Sequence, residues 1–142
     1  MKPPSRRTKS VAAKAFRHTR RIHRDESAED YTELIADLID SAGEARITEV
    51  AKHLGITHVT AIRTVKRLEA AGYVETTPHK PIRLTKKGRA VAEESRHRHR
   101  LILDLLEKLG VPRDAAEVDA EGIEHHVSQV TLRCIERFLS RR

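Results

Sequence analysis

The sequence predicts a mainly α-helical protein with a small β-hairpin wing, in which a winged helix-turn-helix is followed by further helices. Three observations predict this class. Aromatic residues make up 3% of the 142 residues (two Phe, two Tyr, no Trp), so the core must be aliphatic, which favours helices over an aromatic-rich β-sandwich. Apolar residues recur at helical spacing along most of the chain. The exception is a pair of short runs, Tyr73–Thr77 and Pro81–Thr85, which read as two strands around the loop Pro78-His79-Lys80-Pro81.

Regular structure is expected from near Ser27. Tyr31, Leu34, Ile35, Leu38 and Ile39 keep helical spacing, and Gly43 supplies a stop. A second helix fits Ile47–Leu54, with Val50, Ala51 and Leu54 facing inward. Gly55 makes a turn, and Thr57 caps a third helix that runs to about Ala71. Its expected buried side is Val59, Ile62, Val65 and Leu68, with Ala61 and Ala70; Gly72 ends it. After the hairpin, Thr85 caps a long helix from about Lys86 to Leu109, with Ile102, Leu105, Leu106 and Leu109 as its apolar seam. Gly110 stops that helix and Pro112 opens the next. A last helix, capped by Ser128, runs to about Ser140 with Val130, Ile135, Phe138 and Leu139 available for packing. Cys134 is expected in the core.

The net charge of +7 is unevenly spread. Residues 1–24 hold nine bases and no acid, whereas the remaining 19 bases and 21 acids leave residues 25–142 at −2. The organisation expected is a flexible basic arm over 1–28, a DNA-binding domain over 29–85 and a helical domain over 86–142. A basic arm on a nearly neutral body points to a polyanionic partner such as nucleic acid. No stretch is long and apolar enough to span a membrane, and a single cysteine excludes an intramolecular disulfide and fits a reducing, cytoplasmic setting.

Helix, Gly-containing turn, helix and hairpin is the order of a winged helix-turn-helix. On the third helix the expected exposed side offers Thr57, His58, Thr60, Arg63, Thr64 and Arg67 to base edges and phosphates. Lys80 and Arg83 in the wing are placed to reach the DNA backbone or the minor groove.

The second motif is Asp-Ala-Glu-Gly-Ile-Glu-His-His-Val, residues 119–127. Glu121, Glu124 and His125 fall at i, i+3 and i+4, on one face of a helix. Two carboxylates and an imidazole so placed suit a hard or borderline divalent cation. Asp30 and Glu33 form another i, i+3 pair near the start of the first helix, where Glu29 points about 100° away. His97 and His99 lie on the long helix. Taken singly, Asp30 suits a helix N-terminus, Glu33 a solvated face and His99 a basic surface; only their combination points to a metal. His126 points away from the ligand face.

Over residues of about 29 to 128 the chain resembles the manganese transport regulators (MntR type) of the DtxR-like metal-dependent transcriptional repressors. The resemblance is carried by Glu-Asp-Tyr-Thr-Glu (29–33), the helix-turn-helix, Leu-Thr-Lys-Lys-Gly (84–88), Arg-His-Arg-Leu (98–101) and the 119–128 motif. It implies a homodimeric repressor that binds double-stranded operator DNA, with an N-terminal winged helix, a helical dimerisation domain and a metal site between them. The ligands it implies are Asp30, Glu33, His99, Glu121, Glu124 and His125, around two Mn(II) ions per subunit; Glu124 bridges and the backbone carbonyl of residue 121 contributes. The alignment selects His99 over His97. The iron-responsive branch is similar too, but has a Cys at the Glu121 position and a Met near Asp30; an SH3-like extra domain of that branch is not expected in a chain ending at Arg142. Hard oxygen and imidazole donors favour Mn(II), while Fe(II), Co(II) or Zn(II) would bind in vitro.

The sequence also admits three other readings: an Fe(II)-responsive repressor of the same family, a metal-independent MarR-like regulator, and a dinuclear hydrolase. The MarR-like reading needs an apolar pocket for a small organic ligand, for which this chain has little material. The hydrolase reading lacks a His-Glu-x-x-His or nucleophile-elbow motif. No enzyme activity is expected.

Overall fold

The computed structural model describes residue 14 and residues 28–141. The predicted arm therefore lies almost wholly outside the described residues. Helix α1 (residues 28–42) turns Thr32, Ile35, Ala36 and Leu38 inward. Burial of the Thr32 hydroxyl is tolerated because it donates to the Ala28 carbonyl at 2.6 Å.

Helices α2 (Ile47–Leu54) and α3 (His58–Ala70) follow, joined through Gly55 at φ +63°, a left-handed conformation that a β-carbon disfavours. Thr57 caps α3, its Oγ1 accepting from the Thr60 N–H at 3.1 Å. Strands β1 (Val74–Glu75) and β2 (Arg83–Leu84) pair antiparallel, Val74 opposite Leu84 and Glu75 opposite Arg83. A bridge between Ala45 and Ile82 fastens the hairpin to the segment after α1. Ile35, Leu38, Val50, Val65, Leu68, Val74 and Ile82 form one aliphatic core beneath these elements. This is the winged helix-turn-helix that the sequence predicts.

Helix α4 (Lys86–Lys108) leads away from that unit over roughly 35 Å. Its start is anchored by Thr85, whose Oγ1 accepts from the Gly88 N–H at 3.0 Å and donates to the Gly72 carbonyl at 2.6 Å. Gly88 is a close approach: a β-carbon there would lie 1.9 Å from the Tyr73 carbonyl oxygen. Helix α5 (Arg113–Ile123), a 3₁₀ turn (Glu124–His126) and α6 (Gln129–Ser140) complete the chain. Ile102, Leu103, Ala116, Ala120 and Leu132 form a second core, in which the two alanines on α5 let it lie close against α4.

Several apolar residues expected inside lie outside. Val59 is 63% exposed and Leu109 66%, and Leu54, Ala70, Val130, Phe138 and Cys134 are also exposed. On α3 the buried stripe is Ala61, Thr64, Val65 and Leu68, so the side carrying Val59 faces outward. On α4 the buried seam is Ile102 and Leu103, with Leu106 packed against the same core, Leu105 half-buried and Leu109 beyond the helix end exposed. On α6, Leu132 rather than Val130 is the buried residue, with Ile135 packed against the same core.

Candidate metal centre and DNA-binding face

The residues of the 119–127 motif do not stay on one regular helix. α5 ends at Ile123, and Glu124–His126 tighten into a 3₁₀ turn before Val127 becomes extended and Ser128 caps α6. The tightening drives Glu124 and His125 inward, each side chain 1% exposed, while Glu121 stays open to solvent.

Glu124 Oε1 lies 3.6 Å from His99 Nδ1 and 3.6 Å from His125 Nε2. His99 Nδ1 also faces Glu121 Oε1 at 3.5 Å, and His125 Nε2 faces Asp30 Oδ1 at 3.0 Å. Two donor groups thus share one carboxylate. His99, Glu121 and Glu124 offer ligand atoms all within 4.8 Å of one another. Glu33 enters from α1 with its Oε2 accepting from the buried Ser95 hydroxyl at 2.7 Å. All six predicted ligand residues therefore border one region between α1, α4, α5 and the 3₁₀ turn.

The residues fit a divalent cation. Both Glu124 oxygens and His99 Nδ1 are buried without a hydrogen-bond partner, a costly state for polar atoms. Burial, reinforced by Glu121 and Glu33, pushes the Glu124 carboxyl up to about 7. Glu33 is raised by burial, against its Ser95 hydrogen bond, with Asp37 and Glu121 adding to the rise. Burial disfavours charge on His125, but hydrogen bonds to Asp30 and Glu29 overcome it and push the imidazole up to about 10. Burial opposes charge on His99 as well, and Glu117, Glu124 and Glu121 outweigh it to raise the ring.

Four contributors escaped sequence reasoning. Glu29, expected to point away, reaches His125 Nδ1 at 2.8 Å: the ring enters between residues 29 and 30 and turns one nitrogen to each. Arg98 holds the same Glu29 Oε2 at 2.8 Å and Glu94 at 3.2 Å. Glu117 meets His99 Nε2 at 3.3 Å. Ser95 carries no signal in the sequence, being a serine between charged residues. The position of Glu117, one turn before Glu121, was the available clue. One turn beyond Ser95's contact, Arg96 bonds Asp37 and Asp40, so α1 is fastened to α4 at three levels.

Thr57, His58, Thr60, Arg63 and Arg67 are exposed along the start and outer side of α3. Thr64, expected on this exposed side, is instead buried at 5% exposure, and its hydroxyl donates back to the Thr60 carbonyl at 3.0 Å. It belongs to the packing stripe of α3, four residues from Leu68. Exposed Val59 takes a place beside His58 that sequence reading assigned to the core. Lys80 is exposed at the wing tip next to His79, which adopts φ +62°, whereas Arg83 pairs with Glu75 at 3.1 Å along the hairpin. Arg46, His58, Lys66, His79 and Lys80 line an open groove between α3 and the wing.

The sequence profile of the iron dependent repressor N-terminal DNA binding domain matches residues 25–82, and that of its metal binding and dimerisation domain matches residues 85–142. The chain belongs to the iron dependent repressor family. Within that family it is 45% identical over 117 residues to the transcriptional regulator MntR of Salmonella typhimurium, covering 82% of this chain and 74% of the relative. It is 44% identical over 123 residues to MntR of Escherichia coli O157:H7, covering 87% and 79%. Among solved structures, a manganese-dependent transcriptional repressor in complex with manganese superposes with TM-score 0.70 at 30% identity, covering 79% of this chain and 52% of that one. The manganese regulator SloR superposes with TM-score 0.68 at 28% identity, covering 79% and 53%. The chain thus spans about half the length of those two structures. As a member of the iron dependent repressor family it is a metal-dependent, DNA-binding transcriptional regulator and not an enzyme. Membership also decides against the MarR-like and hydrolase readings. Among the described residues no helix is long and apolar enough to cross a membrane.

Proposed function

We propose that this chain is a cytoplasmic, homodimeric repressor of manganese uptake genes that grips its operator when Mn(II) fills the site around Glu124. The observation that carries this reading is the buried Glu124 carboxylate, unpartnered and equidistant from two imidazoles. Asp30, Glu33, His99, Glu121, Glu124 and His125 would hold a pair of cations, with Glu124 between them. Every side-chain donor is oxygen or imidazole, which favours Mn(II) over metals that prefer thiolate. The chain's one cysteine lies on the exposed face of α6, apart from this set. The manganese-related names of its relatives point the same way.

A divalent pair supplies positive charge that offsets repulsion among Asp30, Glu33, Glu121 and Glu124. The consequence lies in the protein. Asp30 and Glu33 belong to α1 of the DNA-binding unit, whereas the other ligands belong to α4, α5 and the 3₁₀ turn. Contacts of Ser95, Arg96 and Arg98 already align α1 with α4; relief of the repulsion would narrow the remaining range of orientations. In a dimer this would hold two α3 helices one DNA turn apart, about 34 Å. Metal affinity and DNA affinity are then linked reciprocally.

The test is duplex DNA binding with Mn(II), Fe(II), Zn(II) or chelator, using fragments selected from a random pool by the Mn(II)-loaded protein. Mn(II) should tighten binding at least about tenfold, and Glu121→Cys should erase the preference for Mn(II) over Zn(II). Equal affinity of the metal-free and loaded protein would refute the reading.

A further inference from the structure

Each imidazole of the centre has a carboxylate behind it as well as in front. His99 turns Nδ1 to Glu121 and Glu124, and its Nε2 meets Glu117 Oε2 at 3.3 Å. His125 is reversed: Nε2 faces Asp30 and Glu124, and Nδ1 meets Glu29 Oε2 at 2.8 Å. Both rear carboxylates are themselves held by arginines. Arg113 reaches Glu117 Oε1 with Nε at 3.0 Å, and Arg98 reaches Glu29 at 2.8 Å.

We propose that Glu117 and Glu29 are positioning residues that fix which ring nitrogen of His99 and His125 is free to bind metal. This rests on the metal-centre reading above. A neutral imidazole carries one N–H, and the nitrogen without it is the ligand. A rear carboxylate that accepts the N–H leaves the opposite lone pair facing the site, fixes the ring and makes it more basic. Glu117 does this for Nδ1 of His99, and Glu29 for Nε2 of His125. In this arrangement Glu29 would keep the N–H on Nδ1 of His125 and leave Nε2, beside Asp30 and Glu124, as the nitrogen available to a cation. The two residues differ in reach. Glu117 acts within the metal-binding domain, one helical turn before Glu121. Glu29 acts across the boundary from α1, so the orientation of His125 depends on α1 being docked.

The inference is tested with Zn(II), a diamagnetic probe, by chelator competition and long-range ¹H–¹⁵N spectra of the loaded full-length protein. Wild type should show His99 bound through Nδ1 and His125 through Nε2. Glu117→Ala should lower affinity about 10- to 100-fold and disturb the His99 ring signals while leaving those of His125 in place. Glu117→Gln, whose oxygen still accepts the N–H, should recover most of the loss; Glu29→Ala should disturb His125 alone. Glu117 is partly solvent-accessible, so its variants should melt with the metal-free wild type, which separates positioning from folding. Unchanged affinity and ring signals in Glu117→Ala, or the opposite nitrogens bound in wild type, would overturn the inference while leaving the metal centre standing. Failure of wild type to bind Zn(II) or Mn(II) would remove both.

Discussion

Glu124 and His125 are sequence neighbours with side chains 1% exposed, and Glu124 Oε1 lies 3.6 Å from His125 Nε2. Their environment predicts a metal-free protein that loses stability as pH rises. Glu124, moved from the usual 4.5 to about 7, binds its proton more tightly folded than unfolded, so its ionisation opposes folding as pH rises through that interval. His125, moved from 6.5 to about 10, stabilises the fold fully below 6.5 and loses that contribution as pH climbs through about 10. Glu29, held below 4.5, works the other way and only in acid. The melting temperature in chelator should therefore fall steadily from pH 5 to pH 9. Glu124→Gln should flatten the segment between pH 5 and 7. A melting temperature that rises across this range would contradict the assignment.

Gly88 lets α4 begin against the winged-helix unit, and alanine there meets the Tyr73 carbonyl. Gly88→Ala should destabilise the protein by about 3 kcal/mol, lowering the melting temperature by roughly 10 °C. Thermal melts of the two proteins measure it directly; a loss below about 1 kcal/mol would mean that the close approach relaxes.

Among candidate DNA contacts, Arg63 is exposed on α3, whereas Arg83 is engaged by Glu75. Arg63→Ala should weaken operator binding by about 1–3 kcal/mol, and Arg83→Ala by less. Thr64→Val should leave DNA affinity unchanged, because the hydroxyl faces the Thr60 carbonyl inside the unit. Fluorescence anisotropy under fixed salt ranks the three, and a large loss in Thr64→Val would return that residue to the interface.

Two apolar patches remain on the helical domain: Val118 and Ile123 on α5, and Leu109 with Phe138 at the ends of α4 and α6. Exposed residues of this kind suit self-association. Light scattering should give twice the 16.1 kDa chain mass for wild type. Paired Asp substitutions in one of the two patches should return it to a single chain. A dimer that survives both pairs would place the contact elsewhere.

Local chemistry made much of this protein legible in its sequence. The caps Thr57, Thr85 and Ser128 each accept the expected backbone N–H, because capping depends on residues only three apart. The hairpin and the glycine stop at Gly43 were likewise set by nearby residues. Helical spacing nominated Glu121, Glu124 and His125 and the pair Asp30 and Glu33, and the family resemblance joined them into one set and selected His99 over His97.

Tertiary structure decided what spacing leaves open. Helical periodicity fixes neighbours along a face but not which face is covered, so Thr64 went inside and Val59 outside according to what packs on α3. The 119–127 motif predicted one face of a regular helix; the turn into α6 tightened it and buried Glu124 between His99 and His125. Glu29, Ser95, Arg98 and Glu117 became visible only when α1, α4 and α5 were assembled. Their roles are distances between elements up to 96 residues apart, and no local pattern encodes those. The sequence by itself nominated the side chains proposed to bind a metal, because their type and spacing are local. Only the assembled fold decided which of their atoms converge, because that depends on distances between helices.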